Sequence, residues 1–101
     1  MPKKVTPESA LKKAVKDYAG YIGLRLWSIM GGLGQEQGIA DFIGLYKGQA
    51  IAIECKAGRN TLTAHQVKFR DEWRAHGGIY IECRRLEDVA QELGLKTHLW
   101  G

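Results

Sequence analysis

Apolar residues at Leu11, Ala14, Val15, Tyr18, Ala19 and Ile22 recur every three or four positions, which predicts a helix with one core-facing stripe. Thr6 suits its N-cap, Pro7 its first position and Glu8 the positive end of its dipole; Gly20 or Gly23 ends it. Residues 24–30 alternate apolar and polar and read as a strand, and the glycine-rich stretch 31–38 reads as a loop. Two apolar, β-branched runs, 39–46 and 49–56, flank Lys47-Gly48, the signature of a two-residue hairpin turn. Thr63-Ala64-His65-Gln66 is a capping box that opens a second helix, with Leu62 and Val67 at staple positions. Residues 79–83 form a short strand. Residues 86–93 form a last helix, with Glu87 and Asp88 in its first turn and Gly94 as its stop. The order α-β-β-β-α-β-α predicts an α/β fold, a mixed sheet with helices on both faces. Trp27, Trp73 and Trp100 are expected in or near the core.

The hairpin turn fixes a register. If Tyr46 pairs with Gln49, facing residues have numbers that sum to 95, so Asp41 stands opposite Glu54. Opposed residues share a face with Cβ atoms about 4.5–5.5 Å apart, and Lys56, two residues on, shares that face with Ile39, Ile43, Leu45, Ala50 and Ala52. Ala40, Phe42, Gly44, Tyr46, Ile51, Ile53 and Cys55 fall on the other, so the hairpin is expected to be buried on both sides. Like charges set opposite one another in a buried sheet are costly. A lysine offsets part of that cost, and a divalent cation held by both carboxylates would offset more, since carboxylate oxygens suit Mg²⁺ and Mn²⁺. An ion-paired network without metal is the competing reading of the same residues.

Composition narrows the setting. The chain has 101 residues, 45% of them hydrophobic, which suits one compact domain spanning 1–101. No apolar run is long enough to span a membrane and no signal peptide precedes the first helix, so a cytoplasmic protein is expected. Cys55 and Cys83 are isolated and give no disulfide framework, and the three histidines have no zinc-ligand spacing. The formal charge is +4, with Lys3, Lys4, Lys12, Lys13 and Lys16 grouped near the start and Arg59, Lys68, Arg70 and Arg74 in the middle. That grouping points to a polyanion such as nucleic acid. Gly31-Gly32-Leu33-Gly34 lacks the Gly-Lys-Ser/Thr of a P-loop, so no nucleotide cofactor is expected.

The ordered set Glu8, Gly38-Ile39-Ala40-Asp41, Ile53-Glu54-Cys55-Lys56 and Gln66 resembles the PD-(D/E)xK nucleases, and most closely their VRR-NUC (virus-type replication-repair nuclease) branch. It departs from the family's frequent Pro-Asp in having Ala40 before the aspartate. The resemblance implies a restriction-endonuclease-like αβββαβ core and a metal-dependent endodeoxyribonuclease. Asp41 and Glu54 would hold Mg²⁺ or Mn²⁺ with the backbone carbonyl of Cys55, and Glu8 would assist, directly or through water. Lys56 would position the attacking water and stabilise the transition state, and Gln66 would orient Lys56 or that water. DNA would be gripped by its phosphates through Lys12, Lys13, Lys16, Arg59, Lys68, Arg70 and Arg74. Stand-alone members of the branch resemble junction-resolving nucleases, which implies branched DNA such as four-way junctions and a place in DNA repair; a chain this short, with one site, would cut two strands together most easily as a homodimer. A phage or other mobile element acting in a host cytoplasm fits so small a nuclease. A non-catalytic DNA-binding module of the same fold is the alternative.

Overall fold

The computed structural model describes residues 5–31 and 36–95. Lys3, Lys4, the centre of the glycine loop, His98 and Trp100 lie outside them. The elements are α1 (Pro7–Ile22), β1 (Arg25–Ser28), β2 (Phe42–Tyr46), β3 (Gln49–Cys55), α2 (Ala64–Ala75), β4 (Ile79–Cys83) and α3 (Leu86–Glu92). This is the predicted order, and one four-stranded sheet carries it in the sequence β1-β2-β3-β4. The first two pairings are antiparallel and β3–β4 is parallel, so α2 is the crossover that a parallel pair requires.

Local chemistry sets the boundaries. The Thr6 hydroxyl accepts a hydrogen bond from the Ser9 backbone N–H at 3.1 Å and the Ser9 hydroxyl accepts from the Thr6 N–H at 3.0 Å, a reciprocal box that starts α1. Gly23 closes it in the left-handed region at φ 81°. Lys47 and Gly48 both take positive φ, 50° and 82°, which matches the twist of the strands they join. The register is the predicted one, Tyr46 facing Gln49 and Phe42 facing Ile53. β1 and β2 are shorter than the apolar pattern suggested, because the alternation at 24, 29–30 and 39–41 continues beyond the paired backbone.

Helices cover both faces of the sheet. α1 and α3 bury Val15, Ala19 and Val89 against Phe42, Ile51, Ile53, Cys55, Ile81 and Cys83. On the other face Ala40, Ala52 and Tyr80 pack under Leu62, Phe69 and Trp73, at and within α2. Ala40 thus joins the face opposite to the expected one: the strand begins only at Phe42, and the bend at Asp41 ends the two-residue alternation. Cover is also incomplete. Trp27 is 46% and Leu45 50% exposed, where β1 and β2 extend past α2. The Arg25 guanidinium lies 4.4 Å over the Trp27 ring, so Trp27 is a surface residue and the hairpin is buried on both sides only in its β3 half. Trp73 meets the expectation, donating from Nε1 to the Ile79 carbonyl at 3.0 Å. No described helix is long and apolar enough to cross a membrane.

Gly44 shows how closely β1 and β2 approach. A Cβ there would clash with the Arg25 carbonyl oxygen and with the Leu26 side chain. Gly44→Ala is expected to lower stability by about 2–3 kcal/mol, as overpacking does. Urea unfolding would read this as a lower midpoint with an unchanged slope.

Candidate active site

Three elements meet at the carboxyl end of β3. Asp41 sits in the bend before β2, Glu54 on β3, Lys56 just beyond β3, and Gln66 in the first turn of α2. The Asp41 backbone N–H donates to Glu54 Oε1 at 3.2 Å, and the Cys55 backbone N–H donates to Asp41 Oδ2 at 2.9 Å. Each carboxylate therefore binds the backbone of the opposite strand, which holds the two acids side by side where the ladder ends. The register inference from Lys47-Gly48 places this pair correctly.

Gln66 performs two tasks with one amide. Its Oε1 accepts from the Thr63 N–H at 2.9 Å, completing the capping box, and its Nε2 donates to Glu54 Oε2 at 3.1 Å. The helix start and the site are thus one construction. Lys56 Nζ stands 3.6 Å from the same Glu54 oxygen. The loop behind Lys56 is held by Arg84, which donates to the carbonyls of Gly58 at 3.1 Å and Asn60 at 2.6 Å and pairs with Glu82 at 2.6 Å. Arg84 was not apparent in the sequence, because its partners are backbone oxygens more than twenty residues away.

Lys12 belongs to the site as well. Its Nζ lies 3.3 Å from Asp41 Oδ1, reaching across from α1. The sequence suggested a DNA-gripping surface residue; helical periodicity gave its direction along α1 but not the acid it would meet. Partial burial alone would lower its pKa, but the Asp41 charge and hydrogen bond, with Glu8 adding to them, leave it raised. Glu8 stands one turn before Lys12, half-buried. Among the described residues no three His, Cys, Asp or Glu side chains gather closely enough to hold a metal ion, so Glu8 remains outside the Asp41–Glu54 pair. The structure ties the Cys55 N–H to Asp41; the Cys55 thiol points into the α1–α3 core, where a hydrogen bond with the free Cys83 thiol and burial push its pKa up.

The remaining basic residues divide. Lys13 pairs with Asp17 and Arg70 with Asp71, while the Arg74 guanidinium lies 5.9 Å over the Tyr80 ring. Lys16, Arg59 and Lys68 are exposed and form no ion pair among the described residues.

Electrostatically the site is strained toward protonation. Glu54 has only 5% of its side chain exposed, and burial, with the Asp41 charge added, pushes its carboxyl up to about 7. A divalent cation fits this donor set. Two hard carboxylates lie side by side, and burial of one of them disfavours its charged form.

The fold has a solved counterpart. A structure described as a VRR_NUC domain superposes with a TM-score of 0.74 at 18% sequence identity, over 89% of this chain and 97% of that one. No family model and no curated protein matches the sequence. The α/β fold expected from the residues, a mixed sheet between helices, is therefore the fold found, and it matches the VRR_NUC fold that the resemblance implied.

Glu54 gives a pH dependence with a defined sign. Its folded pKa is raised, so its stabilising contribution is complete below the ordinary value of 4.5 and is lost as pH rises through about 7. Without divalent ions, wild-type protein should therefore lose about 2 kcal/mol from this group between pH 5 and pH 8. Glu54→Gln should remove that part of the slope, which denaturant titrations at the two pH values would measure.

Proposed function

We propose that the chain is a metal-dependent endonuclease that hydrolyses DNA phosphodiester bonds. The observation that carries this reading is the reciprocal lock between Asp41 and Glu54, with Lys56 and Gln66 both at Glu54 Oε2. A purely structural acid pair would not need to be assembled from three elements at a half-open edge. The VRR_NUC fold supports the same reading.

Asp41 and Glu54 would hold Mg²⁺ or Mn²⁺, with the Cys55 carbonyl and Glu8, through water, as further contributors. When bound, the ion supplies charge neutralisation at phosphate and lowers the pKa of water. The rest is work for this chain's own groups. Asp41 is aimed by the Cys55 N–H and cannot rotate away without losing that bond. Gln66 holds Glu54 against rotation from the α2 side. Lys56 presents a nearly buried ammonium, 11% exposed, where negative charge grows on the phosphate, and at that depth a fixed cation is weakly screened. Lys16, Arg59 and Lys68 are the unpaired cations from which a phosphate-directed grip would be built, with Lys13, Arg70 and Arg74 contributing as their local partners release them. Branched DNA is the proposed substrate. A homodimer would present two such sites to two strands, as a symmetric junction requires.

Four-way junction and linear duplex DNA, incubated with Mg²⁺, Mn²⁺ or EDTA, test the reading. Cleavage is expected with either metal, faster on the junction, and absent with EDTA. Asp41→Asn and Lys56→Met should each lower the rate by about 10²-fold or more. DNA binding that ignores Glu54→Ala, with no cutting under any condition, would instead identify a non-catalytic binding module.

A further inference from the structure

The site contains two acids and two ammonium groups, one for each carboxylate. Lys56 serves Glu54 at 3.6 Å and Lys12 serves Asp41 at 3.3 Å. The two lysines differ in how they are held. Lys56 is on the strand end that carries Glu54 and is 11% exposed. Lys12 arrives from another element, is 38% exposed, and its ammonium reaches Asp41 Oδ1. Asp41 Oδ2 is fixed by the Cys55 N–H, so Oδ1 is the oxygen left to turn toward an added cation. That is the oxygen Lys12 occupies.

We propose that Lys12 is the exchangeable counter-ion of Asp41: its ammonium holds the carboxylate in the metal-free protein and is displaced when a divalent ion binds there. The inference rests on Asp41 and Glu54 being the cation-holding pair. Exchange needs no rebuilding of the site. The Lys12 stem can swing on its four-carbon chain while the strand lock between residues 41 and 54–55 stays intact. The ammonium keeps the two acids tolerable before the ion arrives and sets a threshold that the ion must exceed. It also leaves, on displacement, a free cation at the rim of the site, where a DNA phosphate would approach. By linkage, a lysine that opposes ion binding is itself released by it.

Calorimetric titration with Mn²⁺ tests this in wild-type protein and in Lys12→Met, Lys12→Gln, Lys16→Met and Asp41→Asn. Both Lys12 variants should bind Mn²⁺ about tenfold more tightly than wild type. Lys16→Met removes the same charge one helical turn away and should change affinity by about twofold or less. Equal effects at the two lysines would overturn the exchange and leave only a general field. If Asp41→Asn binds Mn²⁺ as wild type does, the underlying site assignment fails instead, which separates the two ideas. As a second measurement, protein labelled with ¹³C-lysine is titrated with Mg²⁺. The Lys12 ε-methylene signal, assigned by its loss in Lys12→Met, should shift as the site fills. A signal that stays fixed through Mg²⁺ saturation would overturn the proposal.

Discussion

Two carboxylates, each held by a backbone N–H of the opposite strand, are the constraint around which this small domain is arranged. Asp41 and Glu54 exchange hydrogen bonds with the opposite strand's N–H groups, and each then draws a cation from a different helix or strand end. The arrangement is unfavourable by itself: the buried member is pushed up to about 7. What makes it tolerable is convergence. α1 supplies Lys12, α2 supplies Gln66, and the end of β3 supplies Lys56, so disturbing any one element leaves an acid without its partner. Polar strain concentrated at one edge in this way is what marks that edge as the candidate site.

Much of this was legible in the sequence because the informative signals were local. Lys47-Gly48 determines turn type, turn type determines register, and register places Asp41 opposite Glu54. Thr63 and Gln66 declare a helix start three residues apart, and the same glutamine then reaches the site. What stayed hidden depended on distance. Lys12 could be assigned a direction along its helix, but its acid lies 29 positions away in the chain, across the sheet. Arg84 binds two carbonyl groups, which leave no trace in side-chain identity. Ala40 and Trp27 departed from expectation for one shared reason. Alternation describes a strand only where the strand is paired and covered, and each of these residues lies beyond one of those limits.

The two faces of the sheet have different duties. The α1–α3 side is apolar and closed, with Ile51, Ile53, Ile81 and both cysteines fully enclosed, and it supplies most of the burial that a chain this short has. The α2 side is shallower and mixes Tyr80, Phe69 and Trp73 with the acids and the glutamine. The Tyr80 hydroxyl is buried there without a hydrogen-bond partner among the described residues, and burial together with the charges of Glu54 and Glu82 pushes its pKa up. The side with the smaller buried cluster is the one that carries the polar groups.

The Arg84 latch has a consequence for how the chain tolerates change in length. Between Lys56 and the start of α2, the connector is fastened midway to β4 through the oxygens of Gly58 and Asn60. An inserted residue there could not simply loop outward, because it would shift one fastened carbonyl past the guanidinium that holds it. The Lys47-Gly48 tip lies at the other end of the β2–β3 hairpin from Asp41 and Glu54. Added length should therefore be tolerated at the Lys47-Gly48 tip, while the short span from 57 to 63 is held to its residue number by the two fastened carbonyls.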